Sequence, residues 1–140
     1  MTENAHSAGL AGSWQLVAWI VECEGASQPL FGEHPKGLLV LTPEGHVMAL
    51  TTAEERTAGD SPTERAQLHR TMVAYGGRYR VSGDVFITTV EVSWNEAWNG
   101  SEQRRHFRIA GDRLTIESEP APSLFFPGKR EVRRLVWQRI

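Results

Sequence analysis

The chain has 140 residues, 40% hydrophobic and 23% charged, with a formal net charge of −2. That size suits one domain of residues 1–140, burying roughly 68% of its unfolded surface without a disulfide or metal staple. A pI near 6.2 argues against nucleic acid and anionic membrane as main partners, and a lone cysteine, Cys23, allows no internal disulfide and suits a reducing compartment.

Residues 1–10 show neither a basic nor an apolar leader region, so a flexible tail, no signal peptide and a cytoplasmic location are expected. No apolar run nears the roughly 20 residues of a membrane-spanning helix. A strand is predicted over 13–23, with Trp14, Leu16, Ala18 and Ile20 on one face and Val17, Trp19 and Val21 on the other. Apolar on both faces, it should be packed on both. A breaker-rich loop over 24–36 leads to strands at 37–42 and 46–52, joined by the turn Pro43-Glu44-Gly45. Ser61-Pro62-Thr63-Glu64 is a capping box that opens a helix. Leu68, Met72 and Tyr75 form its apolar stripe, and Gly76-Gly77 should end it. Strands follow at 77–82, 85–94, 102–109, 112–118 and 130–139, with a polar loop carrying Trp94 and Trp98 between the fifth and sixth.

Eight strands with no βα alternation predict an all-β fold: an antiparallel up-and-down barrel with one short helix between the third and fourth strands. The connections run long, short, long, short, medium, short, long. Tight turns therefore gather at one closed end, and the long segments 24–36, 53–76, 94–101 and 119–129 (with Phe125 and Phe126) surround a mouth. The matched turns around Gly83-Asp84 and Gly111-Asp112 set Val81 across from Phe86 and Ile109 across from Leu114. This register points Tyr79, Val81, Phe86, Thr88, Val90, Val92 and Trp94 inward. Gln103, Arg105, Phe107, Ile109, Leu114, Ile116 and Ser118 also point inward. Glu91, Ser93, Arg104, His106 and Arg108 face water, and a one-residue slip would instead bring Glu91 inside.

Gly12-Ser13-Trp14 resembles the Gly-x-Trp opening of calycin barrels. The ordered set Leu41–His46, Ala74–Asp84, Val90–Asn95, Trp98–Gly100, Gln103–Phe107 and Leu135–Arg139 is similar to the bacterial and fungal lipocalin-like domain family. The resemblance spans nearly the whole chain. It implies an eight-stranded barrel plugged at its closed end by Trp14, with Arg139 packed over the ring. It implies little biochemistry, beyond relatives that often occur beside natural-product biosynthesis genes. Relatives often carry a histidine where this chain has Thr88 or Thr89, so any role of that histidine is missing here.

Among candidate site residues, Arg105 stands out. An inward guanidinium needs an anion, either a ligand's carboxylate, enolate or phenolate, or an internal Glu22 or Glu117. Met72, Tyr75, Tyr79, Thr88, Val90, Val92, Trp94, Trp98, Gln103, Phe107 and Ser118 complete the expected ligand-binding set, with ordinary barrel filling as the alternative for each. No two of His6, His34, His46, His69 and His106 have metal-ligand spacing, and no phosphate loop, dinucleotide fingerprint or nucleophile motif is present. No cofactor or metal is expected.

The expected function is binding of a small, mainly hydrophobic molecule with a polar or anionic end inside the barrel. An alternative is a cyclase or isomerase acting on a polyketide-like or terpenoid intermediate in the same cavity, with His69, Tyr79 or Glu91 as acid or base. A third reading uses Trp19 or Trp98 as an exposed anchor for a protein partner. Monomer and homodimer are both open.

Overall fold

The computed structural model describes residues 9–123 and 126–140; His6, Phe125 and the first eight residues of the tail expected over 1–10 lie outside them. The described strands are β1 (Gly12–Cys23), β2 (Ala26–Pro29), β3 (Lys36–Leu41), β4 (His46–Thr52), β5 (Met72–Ser82), β6 (Val85–Ser93), β7 (Glu102–Ala110), β8 (Arg113–Ser118), β9 (Ala121–Pro122) and β10 (Arg130–Arg139), with one helix, α1 (Pro62–Arg70). Eight of them close an antiparallel barrel in the order β1-β3-β4-β5-β6-β7-β8-β10, with β10 returning to β1. The short β2 and β9 lie within the connections expected as plain loops, pairing with the mouth ends of β1 and β10. Val81 pairs with Phe86 and Ile109 with Leu114, the register the matched Gly-Asp turns dictate.

Two bulges change which side chains face inward. In β1 the ladder to β10 steps from Leu16–Trp137 to Ala18–Val136, so Val17 is the extra residue. A bulge of this kind re-aims everything beyond it. Trp14 and Leu16 point inward before it, and Trp19, Val21 and Cys23 are buried after it. The two-sided apolar pattern of this strand therefore reflects one buried face with a phase change, and not packing on both sides. In β6, Gly76 pairs with Val92 and Gly77 with Val90, leaving Glu91 as the extra residue. Gly77 permits this, because a Cβ there would lie 1.9 Å from the Thr89 carbonyl oxygen. Beyond the bulge Val92 turns outward and is 64% exposed, beside exposed Met48 and Leu50. The expectation that Val92 faces inward is thus corrected.

The helix is shorter than its apolar stripe suggests. Ser61 and Glu64 form the reciprocal cap, but α1 ends at Arg70, where Arg56 donates to the Leu68 carbonyl at 2.6 Å and to the Thr71 hydroxyl at 3.2 Å. From Met72 onward the chain pairs with β4, Thr52 against Met72 through His46 against Arg78. Met72 and Tyr75 are strand residues, and their helical spacing is coincidental with a strand that buries Tyr75 inside the barrel. Ladder pairing along seven residues outweighs the weak helical preference of Thr71, Val73 and Tyr75.

The closed end is built from both termini of the barrel. Leu10, expected in a flexible tail, is fully buried in the core, as is Trp14. The Trp14 indole Nε1 donates to the Leu10 carbonyl at 3.0 Å, which fixes the segment before β1. The Arg139 guanidinium lies 4.1 Å from the Trp14 ring centroid and donates to the carbonyls of Ala11 and Gly9. That arrangement is the one the resemblance implies.

Candidate functional site

Three connections converge above the open end. The segment after β2 brings Leu30 and Phe31, the end of α1 brings His69 and Arg70, and the turn between β6 and β7 brings Trp94, Asn95 and Trp98. With Trp19, Met72, Val73, Arg105, Arg133 and Leu135 from the barrel they enclose a cavity of about 650 Å³. Beneath it lies a smaller hollow of about 70 Å³, walled by Leu39, Ala49, Thr51, Tyr75, Phe86, Thr88, Gln103, Ile116 and Trp137. Trp19, Val73, Trp98, Arg105 and Leu135 line both spaces, so the two are stacked along the barrel axis.

The rim is aromatic and held in place. Trp94 and Trp98 meet edge-to-face at 4.9 Å, Trp98 lies 5.8 Å from Tyr75, and the His69 ring is 6.2 Å from Trp94. The carrying loop is a 3-10 turn over Glu96–Trp98 capped by Asn95. It is tied down at its base by Gly100 N–H to the Val90 carbonyl at 2.8 Å and Val90 N–H to Ser101 at 3.0 Å. Across the opening Trp19 and Phe31 pack edge-to-face at 5.3 Å. Phe31 holds a left-handed backbone (φ 65°), at a cost of roughly 1–2 kcal/mol. Its carbonyl accepts from Glu54 N–H at 3.0 Å, while the Glu54 carboxylate accepts from Glu33 N–H at 2.9 Å. The strain places an aromatic ring over the cavity where a small residue would sit more comfortably.

Arg105 is the chemical centre. It lies opposite Phe86 and Ser118, one rung nearer the closed end than Thr88. Its Nη1 donates to the Arg104 carbonyl at 2.9 Å and its Nη2 to Gln103 Oε1 at 3.0 Å, both neutral acceptors. Among the described residues it has no carboxylate within ion-pair distance. Glu22 and Glu117, the internal partners weighed for it, are taken on the outer wall by Arg134, at 2.6 and 2.9 Å. Burial lowers the Arg105 pKa from its ordinary value, against the pull of Tyr75, yet a guanidinium stays protonated at neutral pH. Burial raises the Tyr75 phenol above its ordinary value, opposed by Arg105, so this hydroxyl is a donor at neutral pH.

Of the ligand-binding residues expected from sequence, Met72, Trp94, Trp98 and Arg105 line the large cavity, and Tyr75, Thr88 and Gln103 line the hollow below. The others fall elsewhere. Tyr79 sits toward the closed end, packed on Phe86 at 5.3 Å and donating to the Thr42 carbonyl at 2.7 Å, because its rung lies next to the 42–45 turn. Phe107 belongs to the core cluster there. Val90 is buried but engaged in anchoring the 94–101 loop. Val92 is outside. The Ser118 hydroxyl accepts from Arg133 N–H at 2.9 Å. Among the acid–base candidates Glu91 is on the outer wall beside Arg78 at 3.8 Å, and His69 Nε2 is 3.1 Å from the Trp94 carbonyl. The carbonyl accepts only, so that nitrogen carries the proton and His69 serves as a strut between helix and loop. Trp19, weighed as an exposed anchor, is buried.

Sequence reasoning missed Trp19, Phe31, Thr51, Leu135 and Arg133. The parity of the last strand held the clue, since inward Trp137 implies inward Leu135, Arg133 and Glu131. Among the described residues no three of His, Cys, Asp and Glu gather as metal ligands do, and no helix is long and apolar enough to cross a membrane. A family model described as a lipocalin-like domain matches residues 11–140. No curated protein matches the sequence.

Proposed function

We propose a binding function from one premise: the chain belongs to the lipocalin-like domain family, whose barrel is consistent with holding a small molecule. The molecule is mainly apolar, with a polar or anionic end, and occupies the cavity framed by Trp19, Phe31, Met72, Trp94 and Trp98. The observation that carries this reading is Arg105, a half-buried, inward-facing cation in the wall between cavity and hollow whose hydrogen bonds among the described residues go to neutral acceptors. A desolvated charge of this kind is costly unless an anion meets it. The cavity volume of about 650 Å³ falls inside the range of small-molecule sites, roughly 300–1,000 Å³, and its apolar walls with few convergent polar groups match their chemistry. Catalysis as a cyclase or isomerase finds less support, because Tyr79 and Glu91 lie away from this space and the Nε2 of His69 is engaged by the Trp94 carbonyl.

The test is a titration with N-phenyl-1-naphthylamine, an uncharged dye that fluoresces in apolar surroundings. A saturable rise at one dye per chain is expected, and Trp98→Ala should weaken it roughly two- to tenfold, the worth of one aromatic contact. A signal that never saturates would overturn the proposal.

A further inference from the structure

Arg133 is the second inward guanidinium, and its position relative to Arg105 sets the charge of the occupant. On the β7, β8 and β10 walls, Arg105 lies opposite Ser118, and the Ser118 hydroxyl accepts from the Arg133 backbone N–H at 2.9 Å. The two arginines thus share one rung with only a small serine between them, their Cα atoms about 10 Å apart at two strand spacings. Arg105 and Arg133 both line the same cavity. Arg133 donates through Nε to Glu131 Oε2 at 2.9 Å, and the Glu131 side chain is 0% exposed, so this carboxylate belongs to the same buried group. The terminal amino groups of Arg133 and the Nε of Arg105 have no further acceptor among the described residues.

The charges facing this space can be counted. Arg105 and Arg133 contribute two positive charges and Glu131 one negative. Arg70 is exposed at the rim, and Glu119, which acts on Arg105 from a distance, is exposed and turned toward His106 at 3.7 Å. Among the described residues one inward-facing positive charge is left over, on half-buried side chains. We infer that the occupant is an amphiphilic monoanion, of the carboxylate or sulfonate class, bound with its charged end down between Arg105 and Arg133 and its apolar body up against the indole rim. This inference rests on the binding function proposed above and adds to it the charge, the orientation and the second arginine. The orientation follows from the layout: the cations lie low in the cavity, and Leu30, Phe31, Met72, Trp94 and Trp98 lie above them. A dianion such as a phosphate monoester would leave one negative charge uncompensated in a desolvated site.

A matched pair of dyes separates the two ideas. 8-Anilinonaphthalene-1-sulfonate is N-phenyl-1-naphthylamine with one added sulfonate, so the ratio of their affinities reads the charge alone. The sulfonate should bind roughly tenfold or more tighter, as charge-assisted hydrogen bonds require. Arg105→Gln, which brings the count to zero, should cut that ratio by about the same factor, whereas the double variant Arg133→Gln with Glu131→Gln, which keeps one positive charge, should cut it less. Glu131→Gln alone should raise it, and should also let 1-naphthyl phosphate compete at pH 8, where the natural chain prefers 1-naphthalenesulfonate. A variant that merely unfolds cannot bind more tightly, so this gain is diagnostic. If both dyes bind and the ratio stays near one in every variant, the cavity is charge-blind: the binding function stands and this inference falls. If neither dye binds, the binding function itself falls.

Discussion

The two ends of this barrel treat a guanidinium in opposite ways. At the closed end Arg139 covers the Trp14 ring, donates to two backbone carbonyls and has Asp112 at 3.9 Å. Around it the Trp14 and Tyr79 donors are bonded to the carbonyls of Leu10 and Thr42. At the open end Arg105 is half-buried with only neutral acceptors among the described residues, and half-buried Tyr75 lines the hollow. The same side-chain chemistry completes the structure in one place and leaves it incomplete in the other. On the binding function proposed above, stability and function fall to opposite poles of one sheet.

Substitutions can break or sharpen that contrast. Trp14→Ala should be the most damaging, removing a fully buried indole at a cost of about 3–5 kcal/mol and lowering the melting temperature by roughly 10 °C; calorimetry checks it. Arg139→Met should cost about 2 kcal/mol, from the lost cation–π contact and the orphaned carbonyls, measured as a lower urea midpoint at unchanged slope. Arg105→Met should have the smallest effect and the opposite sign. Removing a half-buried charge that has no carboxylate partner among the described residues should leave the empty protein as stable as before, or more stable by up to about 1 kcal/mol, in the same urea titration. A loss at Arg105 equal to that at Arg139 would mean the two ends do not differ in kind.

Much of the fold was legible because a period of two and a few turns determine a barrel. The Gly-Asp turns at 83–84 and 111–112 set the register of four strands, and the alternation of long and short connections placed the mouth. What escaped was the local break in the period. A bulge at Val17 looks like a strand apolar on both faces, and a bulge at Glu91 sends Val92 outward without any change in composition; Gly77, the residue that admits it, reads equally well as a helix stop. Tyr75 was placed on the right side of the cavity for the wrong reason, since Met72 and Tyr75 fit a helical stripe and a strand alike. Arg105 was singled out because the matched Gly-Asp turns fixed the register of its strand and pointed it inward, whereas Arg133 lay in the run Arg130-Glu131-Val132-Arg133-Arg134, whose strand follows a long connection that fixes no register. The site is also assembled from four distant segments, and no single-strand pattern brings Phe31 over Trp19.

The distribution of the five tryptophans has a practical corollary. Trp14 is sealed in the core and buried Trp137 walls the small hollow below, while Trp19, Trp94 and Trp98 border the cavity. Any guest must approach the second group first, so the natural ultraviolet emission divides into a constant share from the base and a responsive share from the rim. On the binding function proposed above, the molecule carries its own occupancy meter, and no foreign label is needed to read it.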